Sequence, residues 1–303
     1  MPNGRDPIND VGPVKAAFFS LIYSLFRQVV ARGSEERASR LGAWISPYLY
    51  NPLKKKRLEN YRKFFGTTDP ERDARIEQAY LAFMGQMLIE GIRDEKTDLA
   101  TMRSRTELQG TEHIEQALKL GKGVMLLNGH MGNFYASHQV LSLGGYKVTN
   151  VSARVPFASM ERQINRLRQR FNVNSVFVNE NAARAAIKTF RRNGIFSIFF
   201  EVVVRWDNAV ALPFGHAFLD FDPGPALLAI RHGVPVLPVS VDSSLPYHHR
   251  ICVQPPFPVP LTGTDQEKAL QLLDLWRDWL QDEITKKPAL WWAWSTVRLH
   301  NNQ

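Results

Sequence analysis

Cysteine is almost missing from this chain: its 303 residues include one, Cys252. That excludes an intramolecular disulfide and any cysteine-based zinc site, and a reducing compartment fits the composition. Long apolar runs are missing as well. The run near the N-terminus, Ala16 to Phe26 (AAFFSLIYSLF), falls well short of the ~20 apolar residues that a membrane-crossing helix needs. Shortly after it, Val29-Val30-Ala31-Arg32-Gly33 makes a poor signal-peptide cleavage site. Flanked by Lys15, Arg27 and Arg32, the run reads equally as a monotopic anchor among anionic headgroups or as a first core helix. No internal repeat, low-complexity stretch or polar linker interrupts the chain. The histidines show no metal-ligand spacing with acids, so no metal is expected.

Acidic residues are in deficit. There are 29 Asp and Glu against 38 Lys and Arg, a net charge of +9, which points to anionic partners: nucleic acid, a phospholipid surface, or an acidic protein or substrate. No nucleic-acid-binding motif accompanies that charge, so nucleic acid is not an expected partner.

The apolar spacing changes character along the sequence. Residues 13–32, 35–48, 53–65 and 70–93 carry helix-period positions, with Pro47, Pro52 and Thr68-Asp69-Pro70 read as stops, and no strand is expected before Gly123. From there, short apolar runs at 124–127, 147–151, 175–178, 195–200 and 234–241 alternate with amphipathic segments at 111–120, 134–143, 159–171, 182–192 and 224–232. This alternation predicts an α/β fold, a mostly parallel central sheet flanked by helices. A helical N-terminal region, residues 1–100, is expected to pack on the α/β domain of residues 101–303 as one compact unit. A last helix is expected over 266–285, ahead of Leu290-Trp291-Trp292-Ala293-Trp294.

One segment carries chemistry more plainly than the rest: Val124-Met125-Leu126-Leu127-Asn128-Gly129-His130-Met131-Gly132-Asn133-Phe134. An apolar strand runs through Asn-Gly-His into a helix, which places His130 at a strand's carboxyl end, where α/β sheets bind ligands. Gly129 and Gly132 leave the backbone uncrowded, and the helix start supplies N–H groups for an anion. The strand Gly194 to Phe200 ends in a second candidate, Glu201, placed to hold an imidazole from a neighbouring strand or simply to be solvated. Further on, Asp222 with Gly224 and Pro225 reads as a helix start.

Taken in order, these segments resemble the lipid A late acyltransferases, the bacterial lauroyl and myristoyl transferases within the lysophospholipid acyltransferase superfamily. The resemblance rests on Asn128 to Asn133, Ser152-Ala153-Arg154-Val155-Pro156, Phe199-Phe200-Glu201, Pro213-Phe214-Gly215, and Gly224 to Ala229 with His232 to Pro238. Glu59 to Phe65, and Lys287-Pro288 with Trp291 to Trp294, extend it to about residues 50–296. It implies an acyl transfer in which His130 is the general base on an acceptor hydroxyl that attacks a thioester carbonyl. The donor implied is an acyl carrier protein or coenzyme A thioester, a substrate rather than a cofactor. The acceptor implied is a lipid or glycolipid at the cytoplasmic face of a bacterial inner membrane, with the protein peripheral or monotopic there.

The family carries a carboxylate five residues after the histidine; here that position is Tyr135, a catalytic candidate as the alternative to Glu201 for partner of His130, since a phenol can hydrogen-bond the imidazole, although it is neutral at pH 7 and cannot supply the same charge stabilisation. Three readings are open. Glu201 supplies the charge, or the acceptor is an amine or other non-lipid nucleophile, or turnover is lost and lipid or carrier binding remains. Gly132, Asn133 and Arg154, the last in the family's Arg-x-Pro element, are the candidate substrate and oxyanion binders. Arg162, Arg166, Arg168 and Arg170 on one helix, and Lys54 to Arg57, are candidate docking surfaces for an acidic carrier protein or an anionic membrane.

Overall fold

The computed structural model describes residues 13–152, 158–177, 182–202 and 208–301. Five helices come first: α1 (Pro13–Arg32), α2 (Glu35–Tyr50), α3 (Lys54–Phe65), α4 (Pro70–Arg93) and α5 (Leu99–Ser104). Their starts follow local chemistry. Side-chain oxygens of Ser34, Asp69 and Asp98 accept hydrogen bonds from the amides three residues on, at Arg37, Arg72 and Thr101, and Pro70 opens α4.

Pro47 does not stop α2, which continues three residues past it. Proline cannot donate to the carbonyl four residues back, and that carbonyl, Ala43 O, accepts from Ser46 Oγ instead at 3.4 Å. The helix therefore passes through.

The remainder alternates, as β1 (Thr106–Gln109), α6 (Thr111–Leu118), β2 (Val124–Asn128), α7 (Phe134–Leu143), β3 (Val148–Ser152), α8 (Ala158–Arg170), β4 (Asn174–Phe177), α9 (Ala182–Arg191) and β5 (Ile195–Phe199). The hairpin β6 (Val210–Phe214) and β7 (Ala217–Phe221) comes next, then α10 (Gly224–His232), β8 (Val236–Leu245), β9 (His248–Val253) and α11 (Asp265–Lys286). Two short 3-10 turns, Pro288–Leu290 and Trp292–Ser295, close the chain. The main sheet has seven strands in the order β1-β9-β8-β2-β5-β3-β4. Strands β8, β2, β5, β3 and β4 are parallel; β9 runs antiparallel to β8 and carries β1 parallel to itself.

The strand at 106–109 departs from the expectation of none before Gly123. Only four residues long, it alternates half-buried with exposed positions at the sheet's edge, so its apolar content is small. The β6–β7 hairpin and β9 are likewise absent from the expected strands.

β2 is buried along its whole length and divides its side chains between two cores. Val124 and Leu126 join a cluster with α6 and α7; Met125 and Leu127 join the larger one, shared with α3, α4, α10, α11 and the C-terminal tryptophans. Helices α3 and α4 thus share the sheet's own core, while buried side chains of α1 and α2 join a separate, smaller cluster with α4 and Tyr247. Helices α2 and α4 approach so closely at Gly42 and Gly85 that a Cβ at Gly85 would lie 2.4 Å from Gly42 O. Arg57, fully buried, donates to Glu77 through Nε at 2.9 Å and through a second nitrogen, joining α3 to α4. Asn60 Nδ2 donates to Trp294 O and Val297 O, tying α3 to the C-terminal segment.

Candidate active site

Sheet register brings the two main candidates together. Strands β2 and β5 are adjacent and parallel with Asn128 opposite Phe199, so His130 and Glu201 each stand two residues beyond the same matched pair. The imidazole Nδ1 lies 3.0 Å from Glu201 Oε1, and the same oxygen accepts from the His130 amide at 2.5 Å and from Trp291 Nε1 at 3.3 Å. Glu201 is fully buried, and its second oxygen has no partner among the described residues. Burial works to raise its carboxyl, but the neighbouring imidazole and the hydrogen bonds from His130 outweigh that and hold it below the usual carboxylate range.

Aromatic rings fix the imidazole. Phe199 stacks on it at 4.3 Å, Phe134 meets it edge-on at 5.0 Å, and Trp292 lies tilted at 5.2 Å. With Nδ1 engaged by the carboxylate, Nε2 makes no hydrogen bond among the described residues, and the side chain stays 17% exposed. An imidazole so held presents Nε2 as a proton acceptor, and the carboxylate stabilises the imidazolium that results.

The turn after His130 is set by Gly132. Its φ of +56° and the 2.4 Å that would separate a Cβ from Val241 O leave no room for a side chain. Its amide donates to Leu290 O, the Asn133 amide to Ser243 Oγ and the Asn133 side chain to Glu90 Oε2, so these three donors are spent within the protein. Glu90 also receives Gln86 Nε2 and the Tyr247 amide and lies 3.4 Å from His249 Nε2, while His249 Nδ1 pairs with Ser243 Oγ at 2.9 Å. A closed ring of polar contacts, Glu90–Asn133–Ser243–His249, therefore underlies the turn.

Tyr135 stands apart from His130. It is 42% exposed, packs on Phe134 at 4.7 Å and makes no hydrogen bond to the imidazole. With Asn133 it lines a cavity of about 210 Å³ between α1, α4, α7 and α8. His138 lines the same cavity, bonded to Ser197 Oγ at 2.6 Å, and burial lowers its pKa to about 4, so it is neutral near pH 7. Arg154 lies outside the described residues.

The basic clusters are largely spent on internal contacts. Arg57 is buried against Glu77, Arg166 pairs with Glu95 at 2.5 Å, and Arg170 donates to carbonyls at the end of α4. Lys54, Lys55 and Arg162 remain at least partly exposed. On α1 and α2, Leu21, Leu25, Val29, Trp44, Tyr48 and Leu49 are exposed apolar side chains, and no described helix is long and apolar enough to cross a membrane.

Sequence reasoning reaches His130 and Glu201 from strand-end positions. It misses their surroundings: Phe199 reads only as part of its strand, Trp291 and Trp292 enter through the resemblance alone, and nothing local marks Glu90, Ser243 or His249. These groups come from separate strands, helix α4 and the C-terminal segment, and meet only in the folded chain.

A comparison with curated proteins finds no match. Residues 18–300 match the family described as bacterial lipid A biosynthesis acyltransferase, a span that takes in nearly the whole chain, His130 and Glu201 included. The chain belongs to that acyltransferase family.

Proposed function

We propose that this chain moves an acyl group from a carrier-protein or coenzyme A thioester to a hydroxyl of a lipid or glycolipid at a membrane surface. The observation that carries the reading is the His130–Glu201 pair, buried on the carboxylate side and open at Nε2. The Nε2 takes the acceptor's proton as its oxygen attacks the thioester carbonyl, the C–S bond then breaks, and the imidazolium returns the proton to the leaving thiolate. Arg154 takes the oxyanion role, since the Gly132 and Asn133 amides are occupied. The missing acid at Tyr135 is then no loss of charge, because Glu201 supplies it from the end of β5.

The apolar stripe on α1 and the exposed side chains of α2, beside Lys54 and Lys55, support a peripheral seat on the cytoplasmic face of an inner membrane. Incubating the chain with lauroyl-coenzyme A or lauroyl carrier protein, and vesicles of anionic phospholipid holding a partly acylated glucosamine disaccharide, tests the reading. A new ester, detected as a mass increase of the acceptor and absent with His130→Ala, is expected. Equal transfer by His130→Ala would overturn the mechanism, and thioester binding without transfer would favour a binding protein.

A further inference from the structure

We propose that the cavity beside the His130 loop takes an acyl chain that carries a hydroxyl group, recognised by Gln139 and Asp94. The inference rests on the acyl-transfer reading for the identity of the chain and on the cavity wall for the hydroxyl. Part of the cavity lining is what an alkyl chain needs: Met87, Leu88, Met160, Ile164, Leu167 and Val173. The rest is not. Asp94, His138, Gln139, Asn150 and Arg168 line the same cavity, and a saturated chain offers them nothing.

Some of these polar groups are already served. Arg168 donates to Asn165 and Ser152, His138 is bonded to Ser197, and Asn150 Oδ1 accepts from Ser175. Gln139 is different. It is 6% exposed, its side chain makes no hydrogen bond among the described residues, and its Oε1 is buried without a donor. Asp94 likewise has no side-chain hydrogen bond among the described residues, and burial, reinforced by Glu90, raises its carboxyl to about 7. A group that serves both must donate to an amide oxygen and also exchange hydrogen bonds with a carboxyl that is part protonated near neutrality. An ammonium would meet the Arg168 guanidinium in the same cavity, and a carboxylate would meet Asp94; a hydroxyl meets neither objection.

Gln139 and Asp94 also border a second cavity of about 20 Å³, the size of a single water, so the competing account is that water serves them. Titration calorimetry of the full chain with dodecanoate and with the series of monohydroxylated dodecanoates separates the two. At least one hydroxylated isomer is expected to bind about tenfold more tightly than dodecanoate, as one buried hydrogen bond would give. That advantage is expected to shrink to about twofold in Gln139→Leu and to be reduced in Asp94→Leu.

Dodecanoate binding as tightly as every isomer to the unaltered chain would overturn the proposal, and so would an advantage unchanged in both variants, or no binding by any of the acids. The ranking on the unaltered chain decides the matter even if a variant does not fold. Because binding needs no turnover, His130→Ala is expected to keep the preference. Failure of the transfer reading would therefore show as absent ester formation with the hydroxyl preference intact.

Discussion

Replacing Glu201 with Gln isolates the charge on which the proposed chemistry depends. Among the described residues, the His130 ring, the His130 amide and Trp291 Nε1 all converge on Glu201 Oε1, while Oε2 has no partner there. A glutamine can therefore place its carbonyl oxygen where Oε1 stands and its amide nitrogen where Oε2 stands. Shape and acceptor survive; the charge goes, and the amide nitrogen brings N–H donors that find no acceptor among the described residues. At the observed 3.0 Å between Nδ1 and Oε1, two unit charges at an effective dielectric of ~20 interact by about 5 kcal/mol. Delocalisation over ring and carboxylate lowers that, so kcat is expected to fall by ~10³-fold, each 1.36 kcal/mol being roughly tenfold. Thiol release from lauroyl-coenzyme A, monitored with a thiol-reactive dye in the presence of acceptor vesicles, reads kcat and KM separately. The loss should fall on kcat, with KM little changed. Tyr135→Phe in the same assay should stay within about threefold of the unaltered chain, because the phenol does not reach the imidazole. A mild Glu201→Gln beside a severe Tyr135→Phe would refute the assignment of the charged partner.

Arg57→Met leaves Glu77 charged, buried and without its main partner, at a cost of ~3–5 kcal/mol of unfolding free energy; urea unfolding should show it, and Arg57→Met with Glu77→Leu should recover a large part. Gly132→Ala forces a Cβ against Val241 O at positive φ, so kcat should drop at least ~10-fold with a stability loss of ~1–3 kcal/mol. Asp94, raised from the ordinary 3.8 to about 7, binds more protons folded than unfolded across that window, so its contribution to stability is full below about 4 and is lost as pH rises through about 7. Asp94→Asn should accordingly raise the urea midpoint at pH 8 relative to the unaltered chain while leaving it nearly unchanged at pH 4.

Much of the fold is legible in the sequence because its pattern is local. The alternation after Gly123 marks β2 and β5 as apolar strands, and the residues just past each, His130 and Glu201, can be read as candidates without knowing that the strands are neighbours. Their pairing is a matter of sheet order and register, which no spacing in the sequence encodes. Pro47 misleads because the side chain that compensates for it, Ser46, has no sequence signature of that role. The basic stretches mislead in the same way: α8 shows its arginines at helix spacing, but Glu95 and the carbonyls that absorb Arg166 and Arg170 lie some seventy residues earlier in the chain. Edge strand β1 and the ring beneath Asn133 are illegible for a related reason, being short or built from single residues of separate elements.

The central claim, that His130 and Glu201 act as one catalytic unit, is tested most directly by comparing kcat for His130→Ala, Glu201→Gln and the double variant on the same thioester and acceptor. If the carboxylate works through the imidazole, the double variant should be no more than about threefold slower than His130→Ala alone, since the second change removes a partner already without a role. Losses that multiply, so that the double variant falls by the product of the two single effects, would contradict it.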